Sequence, residues 1–385
     1  MCRPFSILSS VIIMFIFFSL SGCQNKIDYL YLYGEGRCAN GKQDPDEFGV
    51  DCGGACPNDC QDVRYLEGEI FGRLSLDTRY TYILTGPLIV RDQGSLEFPA
   101  GTHLKVQAQS GAYIAVAQGG LFFAWGTEQD PVTILSNAAE PQAGDWGGII
   151  FCGKAPIDTS TRKLSPIGNY YYGGDEPNDV SGYMRYLKIQ HAGAVYKDTL
   201  HFSGLTLYGV GQSTVMDHVW VTDVLHNGIE IYGGTVGFED VVVHATQQNG
   251  LSLTANWAGH GKRLFLHQIG ANGIHIQAPE DPLSERSAFS LMDVSVVNAS
   301  SSGIKVASLV SNSSFNRIFL AGLPTGILFA EDAPYTFPSL WTNFYLENVP
   351  ILSNNPEFNT GFQVLDTPPF ANANSLPSWL DGWND

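Results

Sequence analysis

One short phrase recurs through the second half of the chain and limits the possible folds more than any other feature. It reads SGLTL at 203–207, NGIEI at 227–231, NGLSL at 249–253, NGIHI at 272–276, SGIKV at 302–306, TGILF at 325–329 and TGFQV at 360–364. The glycines fall at 204, 228, 250, 273, 303, 326 and 361, a period of about 22–24 residues stretched by insertions before 303 and 361. The first and third residues after each glycine are apolar, as in Ile229/Ile231, Leu251/Leu253 and Ile274/Ile276, and the one between is mostly polar. Such alternation marks a strand with one buried face. A second alternating stretch precedes the glycine: HVWVT (218–222), DVVVH (240–244), RLFLH (263–267) and DVSVV (293–297). Its inward set would be Val219/Val221, Val241/Val243, Leu264/Leu266 and Val294/Val296.

Repeats of this kind bury their apolar faces only against their neighbours. The expected fold is all-β, a right-handed parallel β-helix of about 22–24 residues per rung over residues 65–370. A leucine-rich horseshoe shares the period, but its L-x-x-L-x-L pattern and helical segments are absent. Only 15% of residues are charged and 42 are glycine, which suits strands and tight turns better than helix surfaces. The recurring glycine is expected to adopt positive φ at a corner between sheets. LIVRDQGSLEFPAGTHLKV (88–106) and GAYIAVAQGGLFFAWG (111–126) alternate in the same way and should form the first rungs. The tail, residues 371–385 with Trp379 and Trp383, is expected to cap the open end, where bare strand edges invite aggregation.

The chain begins differently. Arg3 and the apolar run VIIMFIFFSL (11–20) have the layout of an export signal over residues 1–22. The run falls short of the roughly 20 residues that a membrane span needs. Leu20-Ser21-Gly22-Cys23 resembles the lipobox of a bacterial lipoprotein, which implies cleavage before Cys23 and its acylation. The alternative is a plain signal peptide with an incidental cysteine. Each buried CH₂ of an acyl chain contributes about 0.8 kcal/mol, so several chains hold a soluble domain at a membrane without spanning it. Gln24 stands where an Asp would resemble an inner-membrane retention signal, which favours the outer membrane. Asp28, beside Lys26, is a slight pointer toward the cell surface. The formal charge of −18 argues against nucleic acid and other polyanions, while Ca²⁺ or a neutral or cationic ligand is compatible with it.

Residues 23–37 read as a lipid-anchored tether and 38–60 as a cysteine-rich module. Cys38, Cys52, Cys56 and Cys60 in an exported chain point to two disulfides, with three connectivities open. A zinc site is the rival, but the spacing has no paired CxxC. Asp44, Asp46, Glu47 and Asp51, with Gly41 and Gly49, make either a calcium loop or a solvated acidic turn. The segment resembles a small cysteine-rich motif of Bacteroidota and myxobacterial surface proteins, which implies a stalk or spacer.

GDWGGIIFCGKAPI (144–157), GGDEPNDVSG (173–182), GLTLYGVGQSTVMDHVWVT (204–222) and NGIEIYGGTVGFEDVVV (227–243) resemble an uncharacterised family of Bacteroidota β-helix lipoproteins and secreted proteins. The resemblance spans roughly residues 80–280 and implies a fold and an address, not a chemistry. His226-Asn227-Gly228 and Gln248-Asn249-Gly250 stand where relatives carry acidic pairs, so a metal role for those corners does not carry over. Cys152 replaces an asparagine and is expected to be a buried free thiol.

Three places offer chemistry. Asp175, Glu176, Asn178 and Asp179 put several oxygens on one glycine-flanked loop, either a second calcium candidate or an Asx-rich turn. On the outer face of the strands before the glycine, equivalent positions should stack about 4.8 Å apart. The columns would be His218/Asp240/Arg263/Asp293, Trp220/Val242/Phe265/Ser295 and Thr222/His244/His267/Val297. Trp220 and Phe265, flanked by His218, Asp240, His244, Arg263 and His267, make a candidate sugar-binding platform, unless loops cover it or a protein docks there. An active site would draw on Asp217, Asp223, Glu239, Asp240, His244 and His267, though no lyase or hydrolase motif is present. His244 and His267 alone lack a third metal ligand. The expected protein is an outer-membrane or cell-surface lipoprotein, acting as a non-catalytic glycan binder or as an accessory subunit docked to an outer-membrane protein. The alternative is a calcium-dependent polysaccharide-degrading enzyme.

Overall fold

The computed structural model describes Lys42, Cys52, Cys56 and residues 63–157, 162–254, 256–277, 289–307, 313–330, 340–361, 364–369 and 373–381. The chain divides into two units, residues 1–62 and 63–385. In the first, residues 1–37, Cys38, Cys60 and the acidic set Asp44, Asp46, Glu47 and Asp51 lie outside the described residues.

The second unit is the expected all-β right-handed parallel β-helix. Long strands such as Val215–Val224, Phe238–Thr246, His260–Ile269 and Ser290–Ala299 alternate with short ones such as Leu205–Tyr208, Ile229–Tyr232, Leu251–Thr254 and Asn272–Ile276. Each pairs in parallel with its equivalent one rung on. Val219, Val241, Leu264, Val294, Ile318 and Phe344 therefore stack in one inward column. Leu205, Ile229, Leu251, Ile274, Ile304 and Ile327 form another. Both belong to one continuous core. The segments expected to form the first rungs, 88–106 and 111–126, do form rungs through Thr81–Val90, Ser95–Pro99, Ile114–Val116 and Leu121–Trp125, but a rung made by Val63–Ile70 and Arg73–Ser75 precedes them.

The corners are made differently from the sequence expectation. None of Gly204, Gly228, Gly250, Gly273, Gly303 and Gly326 has positive φ. Their lack of a side chain serves close packing: a Cβ on Gly228 would meet Val243 Cγ1 at 2.2 Å and the Gly250 carbonyl oxygen at 2.8 Å. Gly273 is pressed in the same way by Val296 Cγ1 at 2.3 Å and the Gly303 oxygen at 2.7 Å. Most of the non-glycine left-handed positions fall instead in two columns along the long strands. One runs Tyr186, His218, Asp240, Arg263, Asp293, Arg317 and Asn343, with φ of 46–62°. The other runs His191, Asp223, Ala245, Gln268, Asn298 and Asn348, with φ of 51–63°. A side chain in this region costs on the order of 1–2 kcal/mol, and the ladders on both sides of each bend hold it there.

The residue before the glycine has its own role. Asn249 Nδ2 donates to Asn227 Oδ1 at 3.0 Å, and Asn272 Nδ2 donates to Asn249 Oδ1 at 2.8 Å. Ser302 Oγ closes the row by donating to Asn272 Oδ1 at 2.8 Å. Asn-Gly therefore recurs because the amides bond to one another along the axis while the glycines let adjacent rungs approach.

At the C-terminal end the seventh phrase is not a rung. Residues 360–361 belong to a short helix, Pro356–Gly361, and Val364 makes an isolated bridge to Phe344. Phe358 of that helix packs on Phe329 and Trp341, with ring centroids 5.4 and 6.2 Å away, and so covers the core. The tail runs elsewhere: residues 373–381 lie along the side of the solenoid, and Trp383 is outside the described residues.

Candidate functional site

The expected outward columns form, because Trp220, Val242, Phe265 and Ser295 occupy consecutive registers, as do Thr222, His244, His267 and Val297. They do not make an open platform. Trp220 is 5% exposed and Phe265 7%, both enclosed with Val242 by Trp379 and Leu380 of the tail. One rung beyond Ser295, Ala373 packs on Phe319 and Ala321. A bare aromatic stripe on this sheet loses about 25 cal/mol for each Å² left in water, and the tail removes it by strapping the face.

Beside this column runs the first left-handed column, whose charged side chains pair with one another between rungs. Asp240 accepts two hydrogen bonds from Arg263, from Nε and from Nη2, both at 2.6 Å. Arg317 pairs with Asp293 at 2.9 Å. Glu239 bridges Lys262 and Arg263, and the hydrogen bond from Lys262 holds its carboxyl below the usual range. His218 contacts Asp217 through Nδ1 at 2.6 Å and stacks on Tyr186 with centroids 4.3 Å apart. Asp217, His218 and Asp240 bring one donor atom each within 4.8 Å of the others, the geometry of a weak cation site. Asp217 is also paired with Arg185 at 3.0 Å, so both carboxylates already have cationic partners.

Between tail and sheet lies a pocket of about 410 Å³. Asp240, Arg263, Asp293 and Arg317 form one wall, and Leu376, Pro377 and Trp379 form another. Phe265 and Ser295 also line it.

His244 and His267 meet through their Nδ1 atoms at 3.0 Å, and Asn298 Nδ2 lies 3.4 Å from His267 Nε2. Burial lowers both imidazole pKa values, and the pair itself lowers that of His267 further. One ring donates to the other, and burial favours the neutral form of both. Asp223, the remaining acid considered for catalysis, accepts from Thr222 Oγ1 at 3.0 Å.

The 175–179 loop does not gather its oxygens. Gln212 donates to Asn178 Oδ1, and Glu176 faces Lys154 at 4.0 Å. Asp179 is buried against the backbone N–H groups of Lys154 and Gly211, and desolvation raises its carboxyl pKa. The loop's side chains bond to neighbouring segments, at Gln212, Lys154 and Gly211, rather than to a shared centre or to their own backbone. Cys152 is the expected buried free thiol, its pKa raised by burial.

Two features went unread in the sequence. Phe123, Trp125 and Tyr183 form an outward aromatic row on the early rungs. Phe123 pairs in register with Tyr183, and centroids are 5.5 Å (Phe123–Trp125), 5.8 Å (Phe123–Tyr183) and 5.5 Å (Trp125–Tyr183), with all planes within 24°. Trp125 is 46% exposed. Arg73–Glu97 and Arg185–Asp217 ion pairs flank the row at 2.7 and 3.0 Å. The signal was present in LFFAW, since inward Phe122 and Ala124 force Phe123 and Trp125 outward. The second is Glu230, buried on the short-strand face. It accepts from Ser203 Oγ at 2.9 Å and Tyr232 Oη at 2.8 Å, and desolvation raises its pKa.

A parallel β-helix with a strapped side and an open aromatic row places the protein among the β-helix proteins. Residues 68–383 match the pectate-lyase-like β-helix domain, and the chain belongs to that family. Among solved structures, the periplasmic alginate epimerase AlgG is 13% identical over 71% of this chain and 75% of its own, with a TM-score of 0.36. The Dettilon tailspike protein gp208 is 10% identical over 69% and 62%, with a TM-score of 0.22. No curated protein matches the chain in sequence.

Proposed function

We propose that the protein is a non-catalytic glycan-binding β-helix, carried at the outer membrane by acylated Cys23. The cysteine-rich module would act as a stapled spacer, and the disulfide bonding of Cys52 and Cys56 supports that part of the reading. The observation that carries the binding function is the row of Phe123, Trp125 and Tyr183, with Trp125 46% exposed and ion pairs on both flanks. Aromatic rings offer apolar area to the carbon faces of sugars, while the flanking Arg and carboxylate groups can exchange hydrogen bonds with hydroxyls. A rigid solenoid face presents such a row without an ordering cost on binding.

The test is migration through native gels containing neutral polysaccharides. The full chain should be retarded by at least one of them. A Trp125→Ala, Tyr183→Ala double variant, folded as judged by circular dichroism, should lose most of that retardation. Retardation unchanged in the variant contradicts the assignment. If the row instead takes a protein, the full chain will pass all the gels unretarded and bring down an outer-membrane partner in stoichiometric amount.

The calcium-dependent enzyme is the second reading, favoured by the Asp217, His218 and Asp240 group. It ranks behind because Arg185 and Arg263 already neutralise the two carboxylates. Polysaccharide turnover that needs Ca²⁺ and vanishes in Asp217→Asn would reverse this order.

A further inference from the structure

The outward column under the tail runs Trp220, Val242, Phe265, Ser295, Phe319. Its one small residue, Ser295, sits between two phenyl rings. The tail seats on both sides of it, through Ala373 on Phe319 and through Trp379 and Leu380 on Trp220, Val242 and Phe265. Over Ser295 the surface drops, and the space left under the tail is the pocket of about 410 Å³. Ser295 is 1% exposed, and its Oγ has no hydrogen-bond partner among the described residues. A buried hydroxyl left without a partner is destabilising, and few native positions tolerate one without use.

The walls define what fits. Asp240 and Asp293 bring two negative charges and Arg263 and Arg317 two positive ones, already paired at 2.6 and 2.9 Å, so the row is neutral as a whole. An anion or a cation would have to compete with an existing ion pair, and the chain's formal charge of −18 further disfavours the anion. A purely apolar ligand would leave Ser295 and the charged row unsatisfied. Phe265, Leu376, Pro377 and Trp379 supply the apolar surface. We propose that this pocket binds a single residue of a neutral saccharide, with its carbon face against Trp379 and Phe265. Its hydroxyls would bond to the Asp–Arg row and to Ser295 Oγ. A volume of about 410 Å³ lies within the range of small-ligand sites. The site is separate from the Phe123–Trp125–Tyr183 row, and its ligand does not depend on that row's function.

The test uses the full-length protein, titrated with methyl α-glucoside, methyl α-galactoside and methyl α-mannoside, and with sodium galacturonate as the acidic comparator. Heat and tryptophan fluorescence are both read. At least one neutral glycoside should bind saturably, and galacturonate at least tenfold more weakly. Ser295→Phe, which continues the phenyl column and fills the space, should abolish binding. Ser295→Ala, which keeps the space and removes the hydroxyl, should weaken it by about fivefold. Because the aromatic row is itself proposed to take neutral sugars, the titrations are repeated in the Trp125→Ala, Tyr183→Ala background, where the Ser295 effects should persist. If Ser295→Phe does not fold, Ser295→Ala decides in the same assay. No binding of any neutral glycoside, preference for galacturonate, or undiminished binding by the Ser295 variants overturns the proposal.

Discussion

Gly228 and Val243 are packed so closely that a single added methyl would stand 2.2 Å from Val243 Cγ1. The same methyl would lie 2.8 Å from the Gly250 carbonyl oxygen on the next rung. The repeated glycine is therefore a contact residue between rungs. Gly228→Ala should cost about 1–3 kcal/mol, the usual range for overpacking, read as a lower urea midpoint with an unchanged slope. Val243→Ala in the same chain should restore part of the loss, since it removes one of the two collisions. An additive double variant would place the strain in the backbone instead.

The left-handed columns predict the opposite response to glycine. Gln268 has φ of 55°. Replacing it with glycine removes strain of about 1–2 kcal/mol and adds about 0.5–1 kcal/mol of unfolded-chain entropy. Gln268→Gly should leave stability unchanged or raise it by about 1 kcal/mol, as measured by urea unfolding. A clear loss would mean that the bend is not strained.

Much of this geometry was readable beforehand, and the rest was hidden for physical reasons. Alternation after and before each glycine located the inward sets Ile229/Ile231 and Val241/Val243 correctly, because a strand has only two faces. The cause of the glycine was not legible, since φ and an inter-rung contact leave the same residue in the sequence. The bends at His218, Asp240 and Arg263 were not legible because, although Asp and His tolerate positive φ, they sit inside continuous alternating stretches that read as unbroken strands. The outward direction of Trp220 and Phe265 was legible. Their cover was not, because Trp379 lies far along the chain and no local pattern tells where a tail returns.

Removing that cover has a measurable cost. Trp379 is 9% exposed and packs edge-on to Tyr186 and His218. Trp379→Ala should destabilise the chain by about 2–4 kcal/mol, toward the lower part of the range for buried aromatics. It should also raise binding of an apolar dye to the uncovered Trp220 and Phe265. No dye binding and no loss of stability would mean that the tail does not close this face.

The histidines set a pH dependence. Burial lowers the pKa values of His191, His244 and His267, and takes His226 and His275 to about 4. In the unfolded chain these groups take up protons near pH 6.5, so between that value and their folded pKa values the unfolded state binds more protons. Stability should therefore be fully present above about pH 7 and fall as pH drops toward 4. His226 and His275 should each contribute about 1–2 kcal/mol of the fall between pH 7 and 5. Glu230 and Asp179, with raised pKa values, act in the opposite sense, and their contribution falls as pH rises above the ordinary carboxylate range. A double His226→Gln, His275→Gln variant should flatten the melting temperature between pH 7 and 5. An unchanged slope would count against burial as the cause.

The central claim is that this β-helix holds glycan without cutting it. The most direct measurement incubates the full-length protein with neutral polysaccharides, with and without Ca²⁺, and reads two quantities from each tube: the fraction of protein retained on the polymer and the new chain ends released. Retention that falls in Trp125→Ala, with no chain ends above the protein-free control, is the predicted result. New ends that accumulate with time, or retention indifferent to Trp125, would contradict it.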